Sequence, residues 1–147
     1  MKIASLGFFL LFVACAGQPD VPFTAGETLG GVQVDVATLN TGRQTYTFYC
    51  AACHGDDGDG RGPAAADLDV PPRDFRIASY KFTRGDGAGL PADEDLAAII
   101  NHGLNGTAMV RWILPEKSIH AVVQYIKTFS PEGEGWRDAE NEISNRI

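Results

Sequence analysis

The chain of 147 residues has the length of one domain of ordinary size, enough to bury a core, and its 44% hydrophobic and 21% charged residues are those of a globular protein without repeats or low-complexity tracts. The formal net charge is −7, and −8 once Lys2, the one charged residue of the first sixteen, is removed. Such a balance speaks against nucleic acid and anionic membrane surfaces as partners and toward a protein partner with a basic docking surface.

Residues 1–16, MKIASLGFFLLFVACA, place Lys2 ahead of an apolar run from Leu6 to Val13. A mature membrane span needs about 20 apolar residues, so this run reads as an export signal. Two cleavage readings compete. Ala14-Cys15-Ala16 fits a small-residue site, whereas Phe12-Val13-Ala14-Cys15 is similar to the lipobox of bacterial lipoproteins, with Cys15 becoming the lipidated N-terminus. The second is preferred, because it leaves no odd thiol in an oxidising compartment. Residues 17–37 then form an arm or tether, and Gly30, Gly31 with the alternation Val32, Val34, Val36 predicts a short extended piece. No other segment could span a membrane, so contact with one is expected only through the lipid, on the periplasmic side.

From Leu39 the period changes. Leu39, Gly42, Tyr46, Tyr49, Cys50 and Cys53 recur at three and four, which predicts one helix that delivers both cysteines to one face. The four glycines and three aspartates of 55–62 stop it. A long irregular stretch, 63–91, is unusual in a compact domain unless it wraps something. Asp93 or its neighbour starts a short helix with the stripe Leu96, Ile99, Ile100 and a stop at Gly103. Pro115-Glu116 opens the strongest helix, with Ile119, Val122, Val123, Ile126 and Phe129 in register and Pro131 as its end. The domain spans 38–130, and the polar tail 131–147 either adds a short helix or frays. Three amphipathic helices with little strand signal give an all-α domain whose core is small for its loops. A large apolar cofactor in the middle would solve the packing.

Cys50-Ala51-Ala52-Cys53-His54 can support three chemistries. Structural zinc needs four ligands, and only two cysteines remain besides Cys15. A thioredoxin-like redox pair accompanies a βαβ pattern that is missing here, whereas Cys-x-x-Cys-His is the signature of covalent c-type haem. Cysteines at i and i+3 are helix neighbours and can meet two vinyl groups on one porphyrin edge while His54 reaches the iron; attachment of such haem after export agrees with the leader. For the second axial position Met109 is the one methionine left after the leader, in the turn-rich Gly106-Thr107-Ala108-Met109. His102 and His120 are its rivals.

These residues resemble class I c-type cytochromes, small electron carriers with His/Met ligation, from about Gly42 to Phe129. The matching elements are Gly42-x-x-x-Tyr46, Cys50-Ala51-Ala52-Cys53-His54-Gly55, Gly62-Pro63, Gly103-Leu104 with Gly106-Thr107-Ala108-Met109, and Tyr125-Ile126 in the last helix. The resemblance implies three to five helices around one covalent haem c. It further implies thioethers at Cys50 and Cys53, iron ligands His54 and Met109, close packing of Gly42 and Tyr46 against the helix of Tyr125, and a Pro63 carbonyl that holds the Nδ1 proton of His54.

Pro71-Pro72-Arg73-Asp74-Phe75, Tyr80-Lys81-Phe82 and Met109-x-x-Trp112 are similar to a bacterial subgroup with an extended loop, in which proline often follows the methionine; here Val110 does. Arg73 is the preferred donor to the haem carboxylates, ahead of Tyr80, Lys81 and Arg84. Asp57, Asp59 and Arg61 lack the bidentate Glu of a calcium loop and read as turn formers. An iron with both axial sites filled transfers single electrons and does little else, so an electron carrier with redox protein partners is expected rather than an enzyme. In the alternative, the chain is a haem subunit fixed in a larger membrane oxidoreductase, with residues 17–37 and the tail as docking segments. A peroxidase or gas-sensing role would need Met109 to detach, and no distal acid–base pair accompanies it.

Overall fold

In the computed structural model the described residues are 21–77 and 90–138. Cys15 and the leader, the segment holding Tyr80, Lys81 and Arg84, and the tail from Ala139 onward lie outside them. The element order is β1 (Glu27–Leu29), β2 (Val32–Val34), α1 (Val36–Tyr49), α2 (Ala51–His54), α3 (Asp93–His102), α4 (Glu116–Lys127) and one 3-10 turn (Gly135–Arg137). The all-α expectation holds, with one small hairpin added.

That hairpin follows from Gly30 and Gly31. Both sit at positive φ, 60° and 77°, the backbone that a two-residue turn requires if its twist is to match the flanking strands. Glu27 then pairs with Val34 and Leu29 with Val32, and Leu29 and Val34 bury themselves against Leu39 of α1 and Phe23. Asp35 closes the hairpin and starts α1, its carboxylate accepting from Thr38 N at 2.9 Å and Thr38 Oγ1 at 2.8 Å.

Helices α1 and α4 form the main packing pair. The buried stripe Leu39, Gly42, Thr45, Tyr46 of α1 meets Ile119, Val122, Val123 and Ile126 of α4. The contact is closest at Gly42, where a Cβ would run into the Ala121 carbonyl and lie 2.7 Å from Cβ of Tyr125. α3 leans on α4 through Leu96 and Ile100, its first turn carrying Asp93, Glu94 and Asp95 where the helix dipole favours negative charge. Past α4 the chain tightens into three-residue turns, Thr128 N to Tyr125 O, Phe129 N to Ile126 O and Ser130 N to Lys127 O, before Pro131.

The polar tail supplies one core residue that its composition conceals. Trp136 is buried in the main cluster beside Tyr46 and Val122, and its carbonyl accepts from Gly30 N at 2.7 Å. Arg137 reaches Glu27 at 2.6 Å and Glu132 at 3.0 Å. Arm and tail are therefore clasped to one another, and the folded body extends past 38–130 at both ends. Among the described residues no helix is long and apolar enough to cross a membrane.

Candidate haem site

The first helix does not carry both cysteines as its spacing predicts. α1 ends at Tyr49, and Cys50, at φ −118° and ψ −38°, is the hinge to the single-turn α2. Hydrogen bonding nevertheless continues across it, with Cys50 N to Tyr46 O at 2.8 Å, His54 N to Cys50 O at 2.9 Å and Gly55 N to Ala51 O at 2.8 Å. The kink keeps Cys50, Cys53 and His54 on one turn, all half-buried, and neither cysteine is in a disulfide. Burial, with Cys53 alongside, pushes the Cys50 thiol up to about 12. Among the described residues no three His, Cys, Asp or Glu side chains group as a metal-ion site would need.

The glycine-rich turn folds back over α2. Gly60 N donates to His54 O at 2.8 Å, Gly62 N to Cys53 O at 3.1 Å and Ala64 N to Ala52 O at 2.8 Å. A side chain at Gly62 would collide with the carbonyls of Ala51 and Ala52. Asp59 serves this turn, its carboxylate accepting from Arg61 N at 2.9 Å.

The turn also moves the support of His54. Its Nδ1 lies 3.2 Å from the carbonyl of Arg73, so the expectation for Pro63 is corrected. The bonds of Gly62 and Ala64 carry Pro63 past Ala52 and leave it exposed, whereas Phe75 N, bonded to Gly58 O at 2.7 Å, pulls 73–75 against the ring. Phe75 stacks on His54 at 4.5 Å with 17° between planes. Arg73 thus meets the site through its backbone, a role its side-chain chemistry did not suggest. A carbonyl can only accept, so the contact puts the proton on Nδ1 and leaves the Nε2 lone pair for a metal. Burial lowers the His54 pKa, against the opposing pull of the Arg73 carbonyl, which favours that neutral ring.

Behind the ring stand Tyr46, Phe75, Tyr125 and Phe129, with Tyr46–Phe129 centroids 5.0 Å apart and Tyr46–Tyr125 5.3 Å. The Tyr46 hydroxyl donates to Gly55 O at 2.7 Å, and burial raises its pKa far above the ordinary tyrosine value. That bond ties α1 to the end of the cysteine turn and was not foreseen.

Met109 comes from a loop locked by its own backbone. Thr107 Oγ1 donates to Leu104 O at 2.8 Å and accepts from Met109 N at 3.1 Å, while Leu104 N donates to Met109 O at 2.9 Å. Met109 packs on the same core as Cys50 and Trp112. Its rivals His102 and His120 are both exposed on helices. Two thiols, a neutral imidazole with a free Nε2, and a thioether gathered about one apolar core are the donor set of a haem c.

The chain matches the family described as cytochrome c oxidase, cbb3-type, subunit III over residues 37–126, more than half of its length. Among solved structures it is similar to a chain of the Kuenenia stuttgartiensis reducing HAO-like protein complex Kustc0457/Kustc0458, at 37% identity and TM-score 0.59, over 61% of this chain and 41% of that one. It thus spans less than half of that relative. A further likeness, to the KustC0563 c-type cytochrome, has 24% identity and TM-score 0.45 over 61% of this chain and 98% of that chain. No curated protein matches the sequence. The family match carries fold and cofactor together: the chain belongs to the cbb3-type cytochrome c oxidase subunit III family, as a class I c-type cytochrome with covalently bound haem c.

Proposed function

We propose that Cys50 and Cys53 hold a single haem c through thioethers, that His54 Nε2 and Met109 Sδ are its axial ligands, and that the protein passes single electrons between redox proteins in the periplasm. The observation that carries this reading is the cysteine turn itself. Two thiols out of any disulfide flank an imidazole whose Nδ1 is already engaged by Arg73. Bound there, haem supplies a one-electron centre. The residues do the rest: Arg73 O and Phe75 fix the His54 ring, Thr107 fixes the Met109 backbone, and the two ligands together leave no axial position for a substrate. His/Met ligation favours a higher potential than other pairs. The Arg73 guanidinium is the proposed donor to a haem carboxylate, and Cys15 the proposed lipid attachment.

A second reading makes the chain a fixed subunit of a larger membrane oxidoreductase. It is supported by the complex that contains the Kuenenia chain. The clasp between β1 and the 3-10 turn argues against arm and tail as its docking segments, since each already occupies the other.

The test is the purified holoprotein. Pigment should stay with the chain in acidified acetone, and the oxidised form should show the weak long-wavelength band of sulfur bound to iron. Pigment lost to the solvent would remove the thioethers from the account. Membrane association that disappears in Cys15→Ala supports the anchor.

A further inference from the structure

The side chains that face away from the core around this site form a surface of unusual composition. Phe48 is 80% exposed, Val110 58% and Ile113 84%. They are joined through one aromatic run, Phe48 on Tyr49 at 4.7 Å and Tyr49 on Trp112 at 5.2 Å. Phe48 lies two residues past the buried Tyr46, which on a helix turns it roughly 200° from the core, so a cofactor inside cannot cover it. Ile113 alternates with the inward Trp112 and Leu114, both packed against the core cluster. Single exposed apolar residues are ordinary; several that meet beside a redox site mark an interaction surface.

Charge sets this surface apart as well. The chain has nineteen acidic residues, yet none falls in 36–55 or 96–115, the two segments that meet at Tyr49 and Trp112. Arg111, exposed between Val110 and Trp112, is the formal charge at its centre. Trp112 N donates to Ile100 O, so the last turn of α3, with His102, borders it. The acids that begin α1 and α3 lie at the far ends of those helices, ~20 Å and ~15 Å away along the axis. Asp56 and Asp59 act on Tyr46, on the opposite side of α1. Glu116, three residues past Ile113, is the nearest carboxylate along the chain. The partial charges of helix ends fade within the last turn and in salt.

We infer that this patch, centred on Phe48, Val110, Arg111 and Ile113, is the docking surface for a redox protein that presents an apolar face with a carboxylate opposite Arg111. The inference rests on the proposed electron-carrier function and names its partner. Net charge points to a basic partner; the charge beside the site points to an acidic one, and local charge governs once salt screens the rest.

The test uses the reduced holoprotein and two aromatic oxidants of opposite sign, the bis(dipicolinato)cobaltate(III) anion and the tris(phenanthroline)cobalt(III) cation. Raising ionic strength from about 0.1 M to about 1 M shortens the Debye length from about 10 Å to about 3 Å. The anion should react more slowly with added salt, by roughly threefold; Arg111→Glu should reverse that trend, and Ile113→Ser with Phe48→Ser should slow both oxidants at every salt concentration. An anion rate that rises with salt in the unaltered protein overturns the inference. So do variants that react like the parent, dimerisation in sedimentation that Ile113→Ser abolishes (which assigns the patch to a second copy), and adsorption to phosphatidylglycerol vesicles that it abolishes (which assigns it to a membrane). Failure of the electron-carrier reading looks different: no haem retained, or no reaction with either oxidant.

Discussion

The hydroxyl of Tyr46 donates to the carbonyl of Gly55 at 2.7 Å, nine residues on. Through it the middle of the first helix holds the far end of the cysteine turn, next to His54. Tyr46 is 1% exposed, so Tyr46→Phe keeps the aromatic packing and leaves the Gly55 carbonyl without its donor. The expected cost is about 1–3 kcal/mol, read as a lower denaturation midpoint with an unchanged slope. An unchanged midpoint would show that the bond contributes nothing.

Two glycines separate steric closeness from backbone conformation. At Gly42 the obstacle is the Ala121 carbonyl, which is part of a helix and has no rotamer to yield. Gly106 is at φ 78° with nothing within 4 Å of an added Cβ. Gly42→Ala should therefore lose about 1–3 kcal/mol by overpacking. For Gly106→Ala the cost is only that of a left-handed alanine, about 1 kcal/mol. Thermal melts of both holoproteins decide; the reverse order would mean that α1 and α4 separate easily.

The pair of buried Lys127 and water-exposed Asp93 should respond asymmetrically. Lys127 Nζ meets Asp93 Oδ1 at 2.5 Å and Gln124 Oε1 at 3.0 Å, its side chain 4% exposed against 42% for Asp93. In Asp93→Ala the ammonium stays buried without its counterion, a loss of about 3 kcal/mol or more. Lys127→Met leaves an aspartate that water already reaches and takes the donor from the buried Gln124 Oε1, so the loss should be the smaller one, about 1–2 kcal/mol. Equal losses in urea unfolding would show that the pair's attraction, not the desolvation of one partner, dominates.

The order of legibility in the sequence follows from how local each signal is. The α4 stripe from Ile119 to Ile126, the cysteine turn and the loop of Met109 were legible because periodicity, glycine and a five-residue motif act over a few positions. The break at Cys50 was not, since spacing of three and four continues through a one-residue kink. Nor was the transfer of the His54 contact to Arg73: it depends on how a turn of eight residues folds back, and backbone carbonyls carry no sequence signature. Trp136 was a lone large apolar residue in a polar tail, a signal that could have been read as an anchor. Its pairing with Gly30 spans nearly the whole domain and lay beyond local reasoning.

The axial ligand is the sharpest point at which the proposed site can be tested. Met109 is fixed through main-chain contacts from Thr107 and Leu104, and none of these involves its side chain. Replacement should therefore change the chemistry while leaving the loop in place. Met109→Ala should open one axial position, so the reduced protein binds carbon monoxide and the long-wavelength sulfur band vanishes. Met109→His should restore six coordination with a lower potential, because imidazole in place of the thioether removes the preference for the reduced iron. His102→Ala and His120→Ala, each removing an exposed rival, should leave both spectrum and potential as they are. Should Met109→Ala keep the parent spectrum while His102→Ala loses it, the sixth ligand comes from the end of α3, and the fixed 104–109 loop has another purpose.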